Sequence, residues 1–389
     1  MAIVICDISA FEYWSTPPLL GEAQIPSEQA TLPQPQGAGL SPRQVNLRHD
    51  ARPCDKLIHN RLLSDLKGIE TPVHVYIDQT EGMRPTRLTS PRKLPENFPK
   101  ELLADIGNGL SVLTIEAALC LMGTDIGVVR LAEMMFEACG LYALHRSNPR
   151  SDLVMKSLVG EKLLTPESAP SSSIYGYSDA CGNKLGHLDS EGNEAEWTPV
   201  FDDDGRLSNM WKRPPLTTVE NISETLAVLE PIRKCSMARE AVGLVMNGSA
   251  SPAETKAAIL LYSSIWKGGE GWKRPDLNRR IYYSSKSAQL AGTSFCIADN
   301  LWAEDKKVLE IQSVAHHGGK RGYRADPGRT AALECMGYVV AELSWDQLAD
   351  LEKLDYVVPS LAEKLGFRLQ ERTVSFIKRR KKLHDQLFK

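Results

Sequence analysis

Apolar and polar positions alternate along the chain in three different rhythms. The opening "MAIVICDIS" and the run "PVHVYI" at 72–77 are short, apolar and rich in β-branched residues, which predicts two buried strands of a small α/β unit. Between them "IPSEQATLPQPQGAGLSP" gathers Pro, Gln and Gly and reads as a loop. From "SVLTIEAALCLMG" onward the spacing turns helical. In "DIGVVRLAEMMFEACG", Val128, Leu131, Ala132, Met135, Phe136 and Cys139 recur at i, i+3, i+4 and i+7, with Asp125 as N-cap and Gly140 as C′ residue. A Met and Phe stripe at that spacing is core packing rather than a cofactor site.

Periodicity fades between residues 165 and 215, where "SAPSSS", "GHLDSEGNEAEW" and "FDDDGRLSNMWKRPP" supply Gly, Ser, Pro and acids. Its "DDDG" does not continue as a calcium loop, because the twelfth position from Asp202 is Arg213 where a bidentate Glu is required; a solvated turn is expected.

Beyond residue 215 the punctuation is clearer. "CSMAREAVGLVMNG" predicts a helix closed by Asn-Gly, and "SASPAETKAAILLYSSIW" a second, with Ser251 at N-cap, Pro252 at N1 and Glu254 at N3 of a capping box. Three runs with β character follow, "RIYYSS", "TSFCIA" and "KKVLEIQS". Next come a helix over "RADPGRTAALECMG" capped by Gly337, a strand "YVVAEL", and a helix start at "SWDQLAD". The order is αβββαβ. No internal repeat is present, which sets solenoids and propellers aside. The expected fold class is α/β: a separate small N-terminal α/β domain over 1–164, a loop-rich linker or insertion over 165–215, and a C-terminal domain over 216–389 ending in a basic helix.

Composition adds limits. A chain of 389 residues with 42% apolar content can build two or three domains. No run reaches the ~18–20 apolar residues of a spanning helix, and the N-terminus lacks a basic n-region and a cleavage site, so a cytoplasmic protein without membrane contact is expected. The eight cysteines form no CxxC pair, which argues against a zinc cluster or disulfide framework. The net charge of −3 combines a negative excess before residue 250 with a positive excess after it. The two parts are expected to meet different partners, the acidic one a protein and the basic one a nucleic acid.

The candidate chemistry lies in "IADNLWAEDKKVLEIQSVAHHGG". Asp299 follows "SFCIA", and Glu310 and Gln312 project from one face of the next strand. If 293–298 and 306–312 pair as a hairpin, Asp299 at its end brings its carboxylate toward Glu310. Such an oxygen set, with Asp299 and Glu310 as ligands, suits Mg²⁺ or Mn²⁺, commonly held by one or two carboxylates and a substrate phosphate. An ion so placed can activate water and stabilise charge on a phosphodiester under attack. His316 and His317 could act as acid or base, contact a phosphate or ligate a metal, or form a plain loop pair beside Gly318 and Gly319. Lys320, Arg321, Arg324 and Arg329, and the basic run at 378–382, could neutralise DNA phosphates.

These residues, with "GGKRGYRADPGRTAALECMGYVVAELSWDQL", resemble the restriction-endonuclease-like PD-(D/E)xK superfamily, and within it the very-short-patch-repair-like branch. The likeness covers residues 236–350. It implies a restriction-endonuclease-like αβββαβ core and a metal-dependent nuclease that hydrolyses DNA. Asp299, Glu310 and Gln312 match the metal-site positions, and His317 the downstream histidine. Glu254 falls where some relatives bring an acid from the first helix, although its place in the capping box already explains it. Gln312 stands where the superfamily pattern has Lys; an amide can ligate or hydrogen-bond but brings no positive charge. The N-terminal "VICDISAFEYW", "TIEAALCLMG" and "LAEMMFEACGLYAL" are similar to abortive-infection antitoxin-like (AbiEi) proteins. That likeness implies phage defence or a toxin–antitoxin-like system, and leaves open a non-catalytic, DNA-binding regulator that retains the nuclease fold.

Overall fold

The computed structural model describes residues 3–23, 52–78, 84–122, 126–165, 175–178, 184–188, 197–202, 204–232, 235–312 and 327–389. Its first unit runs β1 (Ile3–Ile5), α1 (Asp7–Ser15), α2 (Pro18–Glu22), α3 (Pro53–Ser64), β2 (Val73–Ile77), β3 (Thr89–Lys93), β4 (Leu103–Asp105) and β5 (Leu110–Leu113). The sheet order is β3-β2-β1-β5-β4, with β1 antiparallel to β2 and parallel to β5. Buried on both sides, β1 reads as an unbroken apolar run because it lies at the centre of the sheet.

The middle of the chain adds α4 (Ile115–Leu121), α5 (Val128–Ala138), β6 (Tyr142–Leu144), α6 (Pro149–Gly160), β7 (Tyr175–Ser178), β8 (Lys184–Leu188), β9 (Thr198–Phe201), β10 (Leu207–Lys212), α7 (Val219–Leu229) and α8 (Ser236–Val242). The Met and Phe stripe of α5 is buried, as its spacing predicts, but Gly127 takes the N-cap position, and Asp125 lies outside the described residues. Part of the stretch read as linker is sheet: β10 pairs with both β6 and β9. Its polar residues sit in the turn, where Asp202 Oδ1 accepts from the amides of Asp204 (3.0 Å) and Arg206 (2.8 Å), while Trp211 buries itself among Leu20, Val154 and Leu158. Arg213, fully buried, donates to the carbonyls of Glu137 (2.6 Å) and Gly140 (3.3 Å) at the end of α5.

The last unit comprises α9 (Pro252–Tyr262), β11 (Asp276–Tyr282), α10 (Ser285–Ala291), β12 (Phe295–Trp302), β13 (Lys307–Gln312), α11 (Pro327–Cys335), β14 (Val339–Ser344), α12 (Trp345–Ala349), α13 (Leu351–Leu365) and α14 (Val374–Phe388). Its sheet runs β11-β12-β13-β14, antiparallel except for the parallel pair β13 and β14 across α11. The hairpin differs from expectation at one point that matters. Phe295–Trp302 is strand throughout, so Asp299 lies inside β12 and the turn comes at 303–306. Within the loop-like "ADNLW", Asn300 and Leu301 pair with residues of both neighbouring strands.

Leu309, Ile311, Ala341 and Leu343 of this sheet join a buried cluster that runs from Ile3 to Leu387, while Val308, Cys296, Ala298 and Val340 pack on Leu333 of α11. The larger cluster contains residues from both sides of the expected linker. Polar ties cross the same line: Tyr142 to Thr255 (3.0 Å), and Lys256 Nζ to Glu133 Oε1 (2.7 Å). The basic helix α14 is fastened inward by Arg380, which pairs with the fully buried Glu270 at 2.6 Å. Among the described residues no helix is long and apolar enough to cross a membrane.

Candidate functional site

The strand register sets the site. Leu277 pairs with Asn300 and Arg279 with Ala298, which puts Asn278 across from Asp299; Asn300 pairs with Leu309, which puts Asp299 across from Glu310; and Glu310 pairs with Glu342. One row across four strands thus reads Asn278, Asp299, Glu310, Glu342. Three acids in one row are unfavourable for folding, since like charges on adjacent strands repel.

Neighbouring residues hold this row in place. Tyr262 of α9 donates its hydroxyl to Asn300 Oδ1 (2.8 Å), and Asn300 Nδ2 donates to the Leu309 carbonyl (2.9 Å), locking β12 to β13 beside the acids. Asp299 Oδ2 accepts from the Ile311 amide at 2.7 Å. Asn278, in a left-handed conformation (φ 50°) that Asn tolerates, donates Nδ2 to Glu254 Oε2 (2.5 Å) and to the Gly248 carbonyl (2.9 Å). Glu254 is therefore both cap and neighbour of the row. Ser251 Oγ accepts from its amide, and its carboxylate accepts from the Ala250 amide (2.8 Å) and from Ser251 Oγ (2.8 Å).

Crowding shows in the electrostatics. Burial, then the charge of Asp299, pushes the Glu310 carboxyl up to about 8 despite Arg329 beside it. The same two causes push Glu254 up to about 8 against its three donors. Burial raises Asp299 as well, opposed by the Ile311 amide, by Arg329 and by a hydrogen bond with Glu310. Burial and Asp299 together push the Tyr262 phenol well above its ordinary value. Shifts of this kind, in a coupled group of acids, mark sites where a cation or a proton is wanted.

Two expected residues take other roles. Gln312 donates Nε2 to Glu342 Oε2 (2.8 Å) instead of turning to Asp299 or Glu310. Arg329, read as a phosphate contact, reaches back from the first turn of α11: its Nη2 lies 2.7 Å from Glu310 Oε1 and also donates to the Ile297 carbonyl. His316, His317, Lys320, Arg321 and Arg324 lie outside the described residues. The sequence reading missed Asn278; a polar residue inside the alternating run "DLNRRIY" was its only signal.

Among the described residues no group of three or more His, Cys, Asp or Glu stands ready to hold a metal ion. The Asp299 and Glu310 pair still fits a Mg²⁺-type ion. Its donors are hard carboxylate oxygens on adjacent strands, burial raises the proton affinity of both with the charge of Asp299 adding to that of Glu310, and such ions need only one or two protein carboxylates when a phosphate completes the shell. Neither protein-family models, nor curated proteins, nor solved structures give a match to this chain.

Proposed function

We propose that this face belongs to a Mg²⁺-dependent nuclease, with Mn²⁺ as substitute, that hydrolyses DNA phosphodiester bonds. One observation carries the reading: Asp299 and Glu310 meet through a hydrogen bond on adjacent strands with Glu254 close enough to feel the charge of Asp299, and burial followed by that charge raises both glutamates above the ordinary carboxylate range. Asp299 and Glu310 are the residues that would hold the ion, and Glu254 a third acid near it. When bound, the ion supplies Lewis-acid stabilisation of the phosphate and a more acidic water. The Ile311 amide orients Asp299, and the Ser251, Ala250 and Asn278 donors orient Glu254. His317 is the proposed proton donor to the leaving group, and Lys320, Arg321 and Arg324 the proposed phosphate contacts. Calorimetry with Mg²⁺ and Mn²⁺, followed by cleavage of plasmid and short duplexes, tests this. Glu310→Ala is expected to lose both binding and cleavage with its fold intact, and full cleavage by that variant refutes the reading.

A second reading takes support from Gln312, which lacks the charge of lysine and is engaged by Glu342. Here the chain is a regulator of the antitoxin-like kind that binds DNA without cutting it, and its acidic N-terminal part meets a protein partner. Salt-sensitive DNA binding indifferent to Mg²⁺ and to Glu310→Ala would favour it.

A further inference from the structure

The position of Arg329 is unusual for its helix. It is the third residue of α11, in a first turn where the helix dipole favours acids over bases. Its guanidinium offers no parallel two-nitrogen fork to Glu310. A single nitrogen, Nη2, serves both Glu310 Oε1 and the Ile297 carbonyl. The side chain stays 34% exposed against 14% for Glu310, so it has a route out to solvent. It is also the one cation paired with the row among the described residues, set against Asp299, Glu310 and the nearby Glu254. The firmest Arg–carboxylate pairs are frequently bidentate, and the structural pair Arg380–Glu270 is enclosed, with both side chains 1% exposed or less. This one is monodentate, partly open and outnumbered by acids.

We propose that Arg329 is the resident counter-ion of the Asp299 and Glu310 pair, and that a divalent cation competes with it for Glu310. The inference rests on the metal-dependent reading of the site and adds regulation to it: the arginine keeps the acids together when no ion is present and sets a threshold of metal concentration for loading. Because Asp299 is also bonded by the Ile311 amide, it stays in place while Glu310 exchanges partners.

The test is calorimetric titration of Mn²⁺ into the full chain, with circular dichroism to check folding. Removing a positive charge a few Å from the ion is expected to make Arg329→Gln bind Mn²⁺ about tenfold more tightly than the natural protein. Arg329→Lys, which keeps the charge, stays close to the natural value, and Arg329→Gln combined with Glu310→Ala loses binding. An arginine that merely fastens α11 to the Ile297 carbonyl predicts the opposite, with affinity in Arg329→Gln unchanged or weaker. That outcome, with the natural protein binding Mn²⁺ through Glu310, overturns the role of Arg329 and leaves the metal site standing. No binding by any of these proteins, with inorganic phosphate absent or present, overturns both. Should Arg329→Gln fail to fold, Arg329→Met keeps the packing of the stem without the charge and is read the same way.

Discussion

In the N-terminal unit, Asp55 is buried beside β3 with a donor for each oxygen: Arg52 through Nε (3.0 Å) and Nη2 (3.3 Å), Thr89 Oγ1 (2.7 Å) and Thr86 Oγ1 (3.2 Å). It also sits in the first turn of α3, where an acid is favoured. In the C-terminal sheet, Glu254, Asp299 and Glu310 are gathered with one arginine between them, and burial drives them toward their protonated forms. Both places bury carboxylates, but only the first matches each with its own cation and hydroxyls. The contrast separates a charge kept for structure from a group kept in a state the fold alone would not favour.

That contrast can be broken experimentally, and the largest effect is expected in activity. Glu310→Ala should reduce metal-dependent cleavage by about a thousandfold or more, equivalent to roughly 4 kcal/mol of lost transition-state stabilisation, as measured in single-turnover assays. Asp55→Ala should do the reverse. Leaving Arg52 and Thr89 without their acceptor is expected to cost about 3 kcal/mol in denaturant unfolding, with Mn²⁺ affinity unchanged.

A smaller effect distinguishes the two regions by pH. Glu254 and Glu310 both titrate in the folded chain at about 8, above their ordinary value of 4.5. The folded state therefore holds the extra protons, so its stabilisation is complete below about 4.5 and is lost as pH rises through 8. Melting temperatures without metal should fall between pH 5 and 9, and Glu254→Gln or Glu310→Gln should flatten that slope. Smallest of all, Gln312→Leu removes only a partly exposed bond to Glu342 and should change stability by no more than about 0.5 kcal/mol. A loss of cleavage in that variant comparable to Glu310→Ala would mean that the amide turns toward the acids during reaction.

Much of the frame was legible beforehand. The Ser251 cap, the Met and Phe stripe of α5, the Gly337 stop and the four C-terminal strands follow from local spacing, because capping and side-chain periodicity are set by neighbours a few residues apart. The strand over 198–201 and its partner were not legible, since the acids and Gly205 of their turn outweigh the apolar signal that Trp211 carries alone. Asp299 and Glu310 were legible as neighbours through the expected hairpin, although Asp299 was expected at its end and lies inside β12 instead.

Three features depend on residues far apart in the chain. Strand register brings Asn278 opposite Asp299, the neighbouring strand β14 supplies Glu342 to take the amide of Gln312, and the packing of α11 turns Arg329 from a residue facing outward into the partner of Glu310. Local pattern determines which residues are strand and which face they share. Only tertiary structure decides which charges meet, because the energy of an ion pair depends on distance and burial, and neither is encoded within a single element.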